Sequence, residues 1–294
     1  MIEKYEKACR IAAETLAEGK KLAKPGMPLL ELAEKLESII NEKGAKPAFP
    51  VNLSINDAAA HYTPAHEDKS VIGEKDVLKI DVGAQIDGFI GDTALTIDFS
   101  GENGKLLEAA ERGLEAAIAT ARAGVKIGEI GAAVESEIKK LGFKPIENLT
   151  GHSLGQYTLH AGTEIPNIRT AHTHTLKEGD VIAIEPFATN GAGHVRETNV
   201  VEIYALESPQ PVRMREARRL LSHAADNYRT LPFAERWLYK HFHSKLLLTS
   251  ALRELVLNTT FRQYPVLKDA KGGLVSQAEH TVVIEKDSAR ILTR

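Results

Sequence analysis

The strongest constraint on this chain is that part of it is written twice. Gly26, Glu31, Leu32, Gly44, Lys46 and Pro47 recur as Gly124, Glu129, Ile130, Gly142, Lys144 and Pro145, a constant displacement of 98 residues. The matched glycines and proline mark backbone turns rather than bulk composition, so a single offset across all six implies a duplicated half. Each copy carries a helix pair. Residues 2–23 have amphipathic spacing and stop at Lys24-Pro25-Gly26. Residues 28–43 follow, with Leu29, Leu32, Leu36, Ile39 and Ile40 as the apolar stripe and Gly44 as C-cap. In the second copy, helices are expected over 102–123 and 128–141, ending at Gly124 and Gly142.

Between the helix pairs runs DVLKIDVGAQIDGFIGDTALTIDF, whose alternation has strand period. Val77, Lys79, Asp81 and Gly83 alternate with Leu78, Ile80 and Val82; Asp92, Ala94 and Thr96 alternate with Leu95, Ile97 and Phe99. Asp87-Gly88 supplies the hairpin turn. The fold-back brings Asp81 and Asp92 near each other in apolar surroundings, where two carboxylates repel unless neutralised, and a divalent cation would do that. From the hairpin alone, two solvated acids on an exposed face remain the other reading.

The duplication extends to the acids. DVLKID at 76–81 matches DVIAIE at 180–185, which sets Glu185 against Asp81, and GDTALTID at 91–98 matches AEHTVVIE at 278–285, which sets Glu279 against Asp92. The offsets differ, 104 and 187, so the second hairpin holds 83 extra residues in its connection. We place that insertion at 194–263, as an inserted helical subdomain within a catalytic domain made of 1–193 plus 264–294. Its spacing reads as helices at 214–228, 233–242 and 245–257, and its Arg213, Arg215, Arg218 and Arg219 read as a solvated helix face. Tyr264-Pro265 returns the chain to the core. Two related helix-and-hairpin halves imply an α/β (α+β) fold, a curved and largely antiparallel sheet covered by helices on its outer face. The four acids then meet at the pseudo-two-fold axis on the open face. Neither a G-x-G-x-x-G nor a P-loop occurs, which disfavours a doubly wound nucleotide binder.

Four acids still lack a nitrogen ligand, and His152, between glycines in TGHSLG, offers one. Oxygen ligands with one imidazole suit divalent Co, Mn, Fe or Zn rather than a Cys-rich structural zinc site. The formal charge of -3 leaves no electrostatic footprint for nucleic acid or an anionic membrane. No apolar run approaches the roughly 18 residues of a membrane span, and the charged N-terminus has no signal-peptide core. Cys9 is the single cysteine, which suits a reducing compartment, so a cytoplasmic protein is expected. The N-x-S/T triplets at Asn52, Asn148 and Asn258 are at chance level.

Asp81, Asp92, His152, Glu185 and Glu279, in the settings KIDVG, GDTAL, TGHSLG, AIEP and QAEHT, resemble the dinuclear metal centre of the methionine aminopeptidases, which have the pita-bread fold. AAHYTP at 59–64, GHSLGQYTLHAG at 151–162 and the helical insertion are similar to the type 2 subclass, in a compact form like the archaeal ones. The resemblance implies two divalent metal ions, with Asp92 and Glu279 bridging them, Asp81 holding one, and His152 with Glu185 holding the other. It implies that Glu185 serves as base, that His160 donates to the substrate carbonyl and that His61 contacts the scissile amide nitrogen. Phe49, Leu159, His160 and Tyr264 match the side-chain pocket, and the substrate's free amine falls to the metal held by Asp81. The implied activity is removal of the N-terminal methionine from newly made polypeptides when the second residue is small. A monomer is expected, and docking on the ribosome is left open. The alternatives are an Xaa-Pro aminopeptidase or prolidase, which usually carries a further N-terminal domain where this chain has 80 residues before Asp81, and a pita-bread binding protein that has lost catalysis. His172 and His174 read as loop or edge residues, and His241 and His243 as helical, with i and i+2 facing apart.

Overall fold

The computed structural model describes residues 1–294. Helices α1 (Ile2–Leu22) and α2 (Leu29–Glu42) lead into three short strands, β1 (Lys46–Pro47), β2 (Asn52–Ile55) and β3 (Ala58–Ala60), and then into the long hairpin β4 (Val77–Ile86) and β5 (Phe89–Asp98). The turn takes Asp87 and Gly88 to φ 51° and 87°, positive at both central positions, as a tight two-residue hairpin needs. The second copy repeats the order: α3 (Gly104–Thr120), α4 (Ile127–Lys140), β6 (Lys144–Pro145), β7 (Thr150–Ser153), β8 (Glu164–Pro166), β9 (Val181–Ile184) and β10 (Phe187–Thr189). The remainder comprises β11 (Val195–Leu206), α5 (Arg215–Asn227), β12 (Phe233–Ala234), α6 (Glu235–Leu238), α7 (Lys245–Leu257), β13 (Phe261–Asp269), β14 (Val275–Gln277), β15 (Glu279–Ile284) and β16 (Ala289–Ile291).

The main sheet runs β1-β4-β5-β15-β9-β7-β8, antiparallel throughout, with β2 also on β4 and β16 on β15. The pseudo-two-fold therefore passes between β5 and β15. Each half has its own apolar core. Leu32, Leu36 and Ile40 of α2 pack with Leu78 and Ile80 of β4, and Ile130, Val134 and Ile138 of α4 lie in a second core with Ile182 of β9 and Val282 of β15. Each such side chain contributes about 1.5–3 kcal/mol through burial, so both helix pairs are held by their stripes rather than by intrinsic propensity.

Two glycines bring the layers close enough to define the site. A side chain on Gly91 would collide with the backbone of Cys9, so α1 lies directly on β5 one residue from Asp92. A side chain on Gly83 would occupy the Phe49 ring, which lies over the strand between Asp81 and the turn.

The stretch 194–263 corrects the expectation that it is helical throughout. Its first residues form the 12-residue strand β11, which pairs with β13 from Val195↔Asp269 to Leu206↔Phe261, and β13 continues onto β3 through Leu267↔Ala60. Residues 195–202 mix polar side chains with Val195, Val200 and Val201 and do not alternate regularly between buried and exposed, so no inward alternation marked the strand in the sequence. The expected helix at 233–242 shrinks to Glu235–Leu238, because Phe233 and Ala234 pair with Tyr204 and Ile203. His241 and His243 lie beyond it and outside any helix, while His172 and His174 are in an exposed loop. Helices α5 and α7 enclose a third core with Leu220, Phe233, Leu248, Leu252 and Phe261. None of the helices is long and apolar enough to cross a membrane.

Candidate metal centre

Register explains why the acids converge. Asn52, Asp81, Ala94 and Glu279 are successive cross-strand partners over β2, β4, β5 and β15, so their side chains share one face of the sheet. Asp92 precedes Ala94 by two and joins that face, since strand side chains alternate. Ala94 between Asp81 and Glu279 leaves room for both carboxylates. Glu185 and Glu279 each lie one residue beyond the His280↔Ile184 pair of β15 and β9, and His152 of β7 opposes Ala183 of β9.

The tightest group is Asp92, His152 and Glu279, whose ligand atoms all lie within 4.8 Å of one another. Glu185 adjoins it, with Oε1 3.5 Å from His152 Nε2, which is also 3.6 Å from Asp92 Oδ2. Asp81 adjoins the other end: the Gln277 amide donates to Asp81 Oδ2 at 3.4 Å and Glu279 Oε2 at 3.3 Å. Threonines lock the seam, with Thr281 Oγ1 accepting from Asp92 N at 2.9 Å and donating to Asp92 O at 2.8 Å, and Thr93 Oγ1 donating to Glu279 O at 2.8 Å.

The other expected residues line the same cavity. Phe49, His61, Leu159, His160 and Tyr264 are all on its wall with the four acids and His152. The His160 ring centroid is 4.4 Å from that of His152 and 6.2 Å from Tyr264, and His61 stands edge-on to Tyr264 at 5.4 Å. His61 has φ 65°, an uncommon backbone conformation for a residue with a side chain, and its Nδ1 lies 3.2 Å from Pro265 O. A carbonyl only accepts, so Nδ1 carries the proton and Nε2 presents a lone pair.

Sequence reasoning missed Asn52, Ala60, Ile203 and Pro232 on the wall, and Gln277 beside it. Gln277 was within reach, since it precedes Glu279 by two on a strand and shares its face. Ile203 and Pro232 carried no signal, because they come from the stretch read as a separate helical insertion.

The electrostatics favour a bound cation. Burial pushes the Asp81 carboxyl up to about 7, and burial with mutual repulsion carries Asp92, Glu185 and Glu279 well above the carboxylate range. Burial has the opposite effect on the imidazoles: His152 is lowered to about 3 and His61 and His160 to about 4, so all three are neutral at pH 7. Asp81 Oδ1 and Asp92 Oδ1 are buried without a hydrogen-bond donor. Orphaned carboxylate oxygens beside a neutral imidazole form a donor set that fits a divalent first-row cation.

A buried cluster of this kind, in the open face of a duplicated antiparallel sheet, is the setting of a hydrolytic metal centre. Residues 3–205 match metallopeptidase family M24. The chain is 51% identical over 293 residues to a methionine aminopeptidase of Pyrococcus horikoshii, covering 99% of each chain. Among solved structures, a thermophilic Arx1 superposes with TM-score 0.84 at 21% identity over 99% of this chain and 89% of that one. The methionine aminopeptidase of Thermotoga maritima superposes with TM-score 0.73 at 23% identity over 100% and 96%. Those two likenesses speak for the fold. The chain belongs to metallopeptidase family M24 and, within it, to the methionine aminopeptidases. It is accordingly a metal-dependent aminopeptidase using divalent metal.

A pH effect follows from the raised carboxyls. A carboxyl whose folded pKa exceeds its unfolded value stabilises the fold below the unfolded value, near 4, and loses that contribution as pH rises through the folded value. Chelator-treated protein is therefore expected to melt at falling temperature between pH 5 and pH 8, with metal-loaded protein much flatter. The gap between the two forms at pH 8 should exceed the gap at pH 5 by roughly 5 °C. Parallel curves from differential scanning calorimetry would remove the carboxylates from the metal's surroundings.

Proposed function

We propose that the protein releases the N-terminal methionine of newly made polypeptides in the cytoplasm, preferring a small second residue, with two divalent cations held by Asp81, Asp92, His152, Glu185 and Glu279. The convergence of those five side chains with His61 and His160 on one cavity supports this reading most directly. When bound, divalent cations offset the buried carboxylates and, as Lewis acids, bring the pKa of water from about 15.7 down toward about 7.

The chain's own residues do the rest. Glu185 takes the proton of the attacking water and passes it toward the leaving amine; burial and neighbouring acids raise its basicity. His160, neutral at pH 7, donates to the substrate carbonyl oxygen as charge builds there. His61 has its Nδ1 proton committed to Pro265 O, so its Nε2 accepts the N–H of the scissile amide. Phe49, Leu159 and Tyr264 enclose an unbranched thioether side chain. Pro232, from the helical subdomain we infer between β11 and β13, and Ile203 of β11 complete that wall.

Replacing His160 by alanine is expected to lower kcat by about 10²- to 10³-fold with little change in metal content, the usual consequence of losing an oxyanion donor. A loss in kcat under about fivefold would take His160 out of that role. The reading as a whole is tested with metal-loaded protein on Met-Ala-Ser, Met-Pro and Xaa-Pro peptides. Methionine release from Met-Ala-Ser supports it; proline-dependent cleavage, or none with two metals bound, refutes it.

A further inference from the structure

Asn52 is a buried polar group in this cavity to which nothing above gives a role. It lies in β2 directly opposite Asp81 of β4, and opposite residues in an antiparallel pair project on one face with Cβ atoms about 5 Å apart. Asn52 is 5% exposed and lines the cavity with Asp81, His61 and Phe49. Its amide has one orientation open to it. Nδ2 donates to Pro50 O at 2.7 Å, and a carbonyl can only accept, so exchanging the amide's nitrogen and oxygen would set two acceptors against each other. Oδ1 is thereby held as an acceptor, and no donor in the protein reaches it.

A buried acceptor without a partner is costly to keep, so its complement is expected in what binds there. The acids of the cavity offer no donor while ionised. A methionyl thioether and the adjacent carbonyl have none, and the scissile N–H is directed to His61. Apart from water, what remains is the substrate's α-amine, which carries at least two N–H groups and is read as binding on the Asp81 side of the site.

We propose that Asn52 Oδ1 accepts an N–H of the substrate's free α-amine, so that Asn52 and Asp81, paired across β2 and β4, together recognise an unblocked amino terminus. This rests on the reading of the site as an aminopeptidase. It adds a contact made by the protein itself to the selection of free over acylated N-termini, since an acylated nitrogen has a single N–H and a substituent where Asn52 stands.

The test compares two ligands that differ only in the amine: methioninol and 4-(methylthio)butan-1-ol. Their affinities for metal-loaded wild type, Asn52→Ala and Asn52→Val are read by titration calorimetry without turnover. Both variants lack the acceptor, and valine suits the strand if alanine opens a void. Loss of one hydrogen bond to the amine should weaken methioninol by about tenfold and leave the deamino alcohol within about twofold. Equal weakening of both alcohols would make Asn52 a pocket wall only, and no change in either would leave the amine without this partner. A parallel fall in cation affinity would assign Oδ1 to the metal. Each of those three results overturns the proposal. If wild type releases no methionine from Met-Ala-Ser, it is the earlier reading that fails, and the ratio for the two alcohols still decides the role of Asn52.

Discussion

Glu279→Gln is expected to lower both affinity for divalent cations and the rate of methionine release by about 10³-fold or more, beyond the roughly 10- to 100-fold that outer partners of metal ligands typically cost. The side chain is 2% exposed, begins β15 at the pseudo-two-fold seam, and lies within ligand reach of Asp92 and His152. Glutamine has the same shape, and the backbone there stays tied by Thr93, so the fold should persist while one charge and one acceptor oxygen are lost. The same change removes a carboxyl whose charged form burial and its acidic neighbours disfavour, so metal-free Glu279→Gln should melt higher than metal-free wild type at pH 8. Cation titration by calorimetry, a peptide assay and melting curves check the three parts. A loss below about tenfold in both affinity and rate would place Glu279 outside the metal's surroundings.

The second large effect concerns stability. Arg236 of α6 is 5% exposed and faces Glu37 of α2, itself 7% exposed, with one guanidinium nitrogen on the carboxylate and the other on Thr63 Oγ1 at 2.6 Å and Pro64 O at 3.1 Å. Trp237 Nε1 donates to Glu37 Oε2 at 2.8 Å and Val51 N to Glu37 Oε1 at 3.2 Å. This network joins the helices after β11 to the two segments that carry Phe49 and His61. Arg236→Met is expected to destabilise by about 3–5 kcal/mol at pH 7, because it strands a buried carboxylate whose pKa burial already raises. Adding Glu37→Leu should recover most of that loss, since the cost lies in the unpaired charge more than in the missing attraction. Urea titrations of the single and double variants measure it; a single-variant loss under about 1 kcal/mol would mean that the pair does not hold the two parts together.

Local signals carried far in this chain. The 98-residue offset and the strand period around Asp81 and Asp92 foretold the duplicated sheet, because turn glycines and alternating side chains are short-range properties that survive being read in one dimension. Apart from the helix expected at 233–242, the helix ends agreed to within about three residues for the same reason. Strand β11 escaped notice because its first residues do not alternate between a buried and an exposed face, so the helices around it lent it their period. Asn52 escaped as well: in the sequence it was only a chance glycosylation triplet, and nothing local tells that β2 sets it opposite Asp81.

The sequence by itself determined the two halves, the residue types able to grip a cation, and the order in which they come. Tertiary structure alone decided their register: that Ala94 separates Asp81 from Glu279, that Gln277 reaches both acids, and that Ile203 and Pro232 close the pocket from a part of the chain that seemed separate. The physical reason is that cross-strand pairing is a long-range choice, made jointly by both cores and by close approaches such as Cys9 over Gly91, and no window of neighbouring residues contains it.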